Sequence, residues 1–134
     1  MVNDRTMDRI IWATEAEMKA AIEKHGEFHS HHEAYAVLLE ECEEVIEAAA
    51  IFDNVSSDMM VNLWEMVKGD CVPETAHEYL PLICDKASEL VQEGVQVLAV
   101  CKKWQRLIER PVSDDTDYVR TGGDANGKRD HYQV

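Results

Sequence analysis

The sequence predicts an all-α protein, an antiparallel bundle of about four helices. Three observations predict it. Apolar residues recur at a helical spacing of three and four over most of residues 6–109, and no run alternates as a strand would. Helix start and stop signals fall at the edges of those periodic runs. At 134 residues the chain can bury one core but not two independent ones.

The first helix is expected from Thr6 to about Lys24, where Met7, Ile10, Ile11, Met18, Ala21 and Ile22 share a face and Gly26 supplies a C-terminal cap. The link EFHSHH leads to the helix around which the rest is arranged. There Ser30, followed three residues on by Glu33, reads as a capping box. At about 100° per residue, Ala34, Leu38, Val45, Ala48 and Phe52 form one narrow stripe, and Glu41 lies in its middle. Glu44 sits on the border, while Glu40, Glu43 and Glu47 point outward. The run 53–57 reads as a break, with Ser56 or Ser57 as the next N-cap. A third amphipathic helix then carries Met59, Met60, Leu63, Trp64 and Val67 and ends at Lys68-Gly69. Residues 70–81, with Pro73 and Pro81, read as a connection with room for one helical turn from Glu74 to Tyr79. Pro81 suits the first turn of a last helix, Leu82 to Glu109.

In that last helix Glu93 shares a face with Val97, Val100, Trp104, Leu107 and Ile108, and Gln96 lies on its border. Glu93 therefore stands to this helix as Glu41 stands to the other. Packed antiparallel, the two helices would bring Glu41, Glu44, Glu93 and Gln96 toward one point. Residues 1–110 form the expected helical domain. Residues 111–134 lose periodicity and gather Gly, Asp and Asn, as a polar loop or disordered tail would.

With 27 acidic and 13 basic residues the net charge is −14, which disfavours direct binding to nucleic acid or to an anionic membrane surface. Cys42, Cys71, Cys84 and Cys101 form no C-x-x-C pair and read as reduced thiols. No signal-peptide pattern and no bilayer-length apolar run occurs, so a soluble cytoplasmic protein is expected. His29, His31 and His32 read as solvated loop histidines, and Trp64 and Trp104 as core.

An acid in an apolar seam is costly unless a cation or a proton compensates it. One source is a basic side chain, Lys86, Lys103 or Arg106, unless Glu41 and Glu93 bend outward from a loosely packed seam. The other is a divalent ion, and three or four oxygen ligands on facing helices suit Mg²⁺, with Mn²⁺ as a substitute.

The run LLEECEEVIEAA resembles the first half of the signature of the all-α NTP pyrophosphohydrolase (MazG-like) superfamily, E-E-x-x-E followed later by E-x-x-D. Glu40, Glu41 and Glu44 match the first part. ELVQEGVQVLAVCKKW resembles the second, with Glu93 at the acid and Gln96 where aspartate is usual. The similarity is strongest to small phage-type MazG-like proteins. It implies a bundle completed by dimer or tetramer formation, and Mg²⁺-dependent hydrolysis of a (d)NTP to (d)NMP and pyrophosphate in the cytoplasm, the host's if the gene is phage-borne. Glu41, Glu44 and Glu93 would hold the metal, and Gln96 would take the fourth ligand's place. Glu40 would orient the attacking water, which makes Glu40 and Glu41 the catalytic candidates. Lys103 and Trp104 are candidates for contact with the nucleotide, through charge and through an aromatic face. Lys102, Lys103 and Arg106 lie mostly off the Glu93 face and otherwise read as solvating the helix. A neutral amide at Gln96 binds Mg²⁺ more weakly than aspartate. The competing expectation is therefore a catalytically weak or silent oligomer of this fold that binds nucleotide or a protein partner.

Overall fold

The computed structural model describes residues 4–70 and 73–110. Those residues form three α-helices: α1 (Asp4–His25), α2 (His31–Lys68) and α3 (Pro73–Glu109), and the described residues contain no strand. The expected tail, residues 111–134, and Cys71 lie outside the described residues. No described helix is long and apolar enough to cross a membrane. Cys42, Cys84 and Cys101 are free thiols.

The turn between α1 and α2 forms as its residues dictate. Gly26 takes φ +81°, open to glycine without a Cβ clash, and its N–H closes on the Ile22 carbonyl at 2.7 Å. Ser30 is extended, and its hydroxyl accepts the Glu33 N–H at 3.0 Å. Glu33 reaches back one residue further than a standard capping box, accepting the His29 N–H at 2.7 Å. Such a cap contributes about 1 kcal/mol.

Two boundaries differ from expectation, and together they reduce four helices to three. The helix does not break at 53–57. Ser56 Oγ donates to the Asp53 carbonyl and Ser57 Oγ to Asp53 Oδ1, both at 3.4 Å. The residues that could have capped a new helix instead bond back along the existing one, and α2 runs on to Lys68. There Gly69 donates to the Glu65 and Met66 carbonyls, and Asp70, at φ 60°, ends the turn. The second difference is that α3 begins at Pro73, the proline suited to an N-terminal position, and carries Pro81 in its interior. An interior proline costs about 3 kcal/mol through its missing N–H and its clash with the preceding turn. Pro81 is exposed, so solvent can reach the His77 carbonyl that it leaves without a donor.

Helix α3 packs against both α1 and α2, whereas α1 and α2 stand apart across it. Phe28 in the turn (2% exposed), Ala34 and Val100 form a buried core cluster, with Val37, Leu38, Trp104 and Leu107 packed around them, and Met18, Ala76 and Ala99 are buried as well. The stripe on α2 is observed: Leu38, Glu41, Val45, Ala48 and Phe52 are all half-buried, while Glu40, Glu43 and Glu47 are exposed. On α3, Val97, Val100, Trp104 and Leu107 turn inward but Ile108 is exposed.

At a rise of about 1.5 Å per residue, α1 is about 24 Å shorter than α2. The paired ends of α2 and α3 therefore continue as an arm that α1 does not cover. This explains why Trp64, expected in the core, is 58% exposed, with the Lys68 ammonium 5.8 Å from its ring centroid. Met60, Val61, Val67, Leu80 and Leu82 are exposed along the same arm.

Candidate metal centre

Glu41 and Glu44 are one turn apart on α2, and Glu93 and Gln96 are one turn apart on α3. Because the two helices run antiparallel, Glu41 comes level with Gln96 and Glu44 with Glu93. Oxygen atoms of Glu41, Glu44 and Glu93 all lie within 4.8 Å of one another. The three acids singled out in the sequence are brought together from two helices, close enough to share one cation.

Their surroundings leave the charge uncompensated. Glu41 Oε1 is buried and accepts no hydrogen bond. Burial foremost, then the charges of Glu44, Glu93, Glu40 and Glu17, pushes the Glu41 carboxyl above its ordinary range. Glu44 is pushed up as well, by desolvation, by the Glu93 charge and by a hydrogen bond to Glu93. The bases that might have paired with these acids are engaged elsewhere. Lys86 lies 3.4 Å from Glu89, Lys102 3.7 Å from Glu15, and Arg106 grips Glu27 through its Nε and Nη2 groups. Lys103 sits with its ammonium 4.2 Å from the centroid of the Phe28 ring. Among the described residues no basic side chain forms an ion pair with Glu41, Glu44 or Glu93.

Glu41 also lines a cleft of about 630 Å³, the space left where α1 and α2 stand apart over α3. The cleft is graded along its length. One end carries Glu17, Glu40, Glu41 and Gln96. The middle is walled by the small side chains Ala20, Ala21, Ala99 and Val100, with Val37. The far end is closed by Phe28 and Lys103, with Lys24, His25 and Glu33. The volume is within the range of small-molecule sites, and apolar walls with charged ends suit an elongated polar ligand carrying a ring.

Each expected site residue has a definite place. Glu40 faces the cleft beside Glu41, and Gln96 faces both from α3. Lys103 is buried at 6% exposure and lines the far end, rather than solvating the helix. Trp104 is not part of the cleft lining. Its indole N–H donates to His31 Nδ1 at 2.9 Å, and it packs with the core, so its place is structural. Glu17 was not anticipated; three residues after Thr14 and four before Ala21, it shares their face, which the α1 periodicity would have shown.

Comparisons with protein-family models, with curated proteins and with solved structures found no match.

Proposed function

We propose that the chain is a metal-dependent nucleotide pyrophosphohydrolase of the MazG-like type, cleaving a (d)NTP between its α and β phosphates to give (d)NMP and pyrophosphate. The observation that carries this reading is the convergence of Glu41, Glu44 and Glu93 around a buried Glu41 oxygen that has no partner, at the mouth of a nucleotide-sized cleft. The short motifs around Glu40–Glu44 and Glu93–Gln96 support it.

An all-oxygen donor set with excess negative charge fits Mg²⁺ or Mn²⁺. Glu41, Glu44 and Glu93 would hold the ion, and Gln96 would offer its amide oxygen from α3. When bound, such an ion supplies Lewis-acid polarisation of a phosphoryl oxygen. The remaining work belongs to the chain. Glu40, next to Glu41 on the cleft wall, accepts a hydrogen bond from the attacking water and aligns it. The alanine and valine middle of the cleft holds the sugar and base and excludes bulk water. Lys103 supplies the buried positive charge at the opposite end.

The exposed apolar arm is covered in the working protein by a second copy of the chain, giving a homodimer or a homotetramer; Met60, Trp64 and Leu80 are exposed on that arm. Gln96 favours a second reading, in which the same oligomer binds nucleotide with little turnover, because its amide carries no charge for the metal and cannot act as a base.

The test is release of pyrophosphate from a panel of dNTPs and NTPs with Mg²⁺ or Mn²⁺, wild type beside Glu41→Gln. Release by wild type alone supports the enzyme. Nucleotide binding without release supports the second reading, and neither binding nor release from a folded protein removes both.

A further inference from the structure

We infer that Lys103 reads the base, and that the cleft selects nucleotides whose base presents an oxo group at that end (uracil, thymine or guanine) over adenine and cytosine. This rests on the nucleotide-cleft reading proposed above and extends it to substrate class.

Lys103 is 6% exposed and faces the cleft with no ion-pair partner among the described residues. Its ammonium is held 4.2 Å from the centroid of Phe28, a residue of the α1–α2 turn at the far end. That contact holds the charge at the Phe28 end of the cleft, where it acts on Glu27 and Glu33 and not on Glu41 or Glu44. Gln96 and Lys103 are seven residues apart on α3, about 10.5 Å of helix rise. Glu41 and Glu33 are eight residues apart on α2, about 12 Å. A nucleotide with its phosphates at the acidic end therefore places its base, not its phosphates, against Lys103. The small residues Ala20, Ala21 and Ala99 leave the space between for a sugar and a flat ring.

A lysine ammonium has three donors and no acceptor. A buried donor-only group is satisfied by the oxo oxygen of uracil, thymine or guanine. It is left facing another donor by the amino group that adenine or cytosine carries at the same ring position. Sites built around one such bond reject the analogue that cannot make it. The other charged groups at this end are less suited to the task. Lys24 and His25 are exposed, and Glu33 is exposed with its carboxylate held on the His29 N–H.

The experiment is equilibrium binding, with Mg²⁺, of the non-hydrolysable α,β-imido triphosphates of deoxyuridine, deoxyguanosine, deoxycytidine, deoxyadenosine and 2-aminopurine deoxyriboside. Wild type should bind the uracil and guanine analogues about tenfold or more tightly than the cytosine and adenine ones, the scale of one charge-assisted hydrogen bond. The 2-aminopurine analogue, which lacks the 6-oxo group of guanine, should fall with the weak binders; this arm needs no variant and stands even if Lys103→Met does not fold. In folded Lys103→Met the preference should shrink to about one. Equal binding of all five analogues by wild type would overturn the inference and leave the pyrophosphohydrolase reading in place. Uniform weakening in Lys103→Met with the preference retained would place the lysine on phosphate and also overturn it. No binding of any analogue would remove both readings.

Discussion

Replacing Glu41 by glutamine should make the metal-free protein more stable, although the change falls at the centre of the proposed site. In the wild type, Glu41 Oε1 is buried without a donor, and its neighbours Glu44 and Glu93 are also acids. Leaving such an oxygen unsatisfied costs about 1–3 kcal/mol. Glu41→Gln removes the charge and adds an N–H that can donate to either neighbouring carboxylate. A net gain of about 1–2 kcal/mol is expected, or roughly 5 °C in Tm for a domain of this size. The pH dependence has a definite sign. Because the folded state raises the Glu41 pKa, the penalty is absent below the unfolded carboxylate range near pH ~4.3. It grows as pH rises through the raised folded value, and it is complete above that. The gain should therefore be present at pH 7 and absent at pH 4. Magnesium reverses the order: at a concentration about a hundredfold above Kd it should stabilise the wild type by about 2.7 kcal/mol and leave the variant unmoved. Thermal denaturation followed by circular dichroism, in EDTA and in Mg²⁺ at both pH values, measures all of this. A variant that melts below wild type in EDTA at pH 7 would refute the reasoning, because the Glu41 carboxylate would then be compensated within the fold.

Three further outcomes are expected. Gln96→Asp should tighten Mg²⁺ binding and raise turnover; titration calorimetry and initial rates check this, and unchanged values would remove Gln96 from the ligand set. Ser30→Ala should lower stability by about 1 kcal/mol through loss of the α2 cap, measured by urea denaturation. Arg106 holds the Glu27 carboxyl below its usual range, so the stability this pair adds is present above the unfolded carboxylate pKa and is lost as pH falls through the lowered value. An acid titration of wild type against Glu27→Gln should show the variant without that loss.

The features legible in the sequence are those fixed by local hydrogen bonding and by helical period. The Ser30–Glu33 cap, the Gly26 turn and the acids set into two apolar seams are of this kind, and antiparallel packing then brings Glu41, Glu44 and Glu93 together. The break placed at 53–57 illustrates an ambiguity of residue type: Asp53, Ser56 and Ser57 can cap a new helix or bond back onto an existing one, and the second occurs. Pro81 reads as a helix start because an interior proline is costly, yet an exposed turn tolerates it. Periodicity within one helix also does not reveal how far its neighbours extend. Trp64 and Met60 lie on an apolar face that α1 is too short to cover. Lys103 is buried by Phe28, a residue of the turn, outside any helical pattern.

The most direct measurement is the number of Mn²⁺ ions bound per chain, read by electron paramagnetic resonance, in wild type, Glu41→Gln and Glu93→Gln. Glu41 and Glu93 lie on different helices, so only a site built across α2 and α3 makes both equally necessary. The ion bound by wild type should be lost or greatly weakened in each variant while the helices stay folded. Undiminished Mn²⁺ binding in both variants, or no binding by wild type, would contradict it.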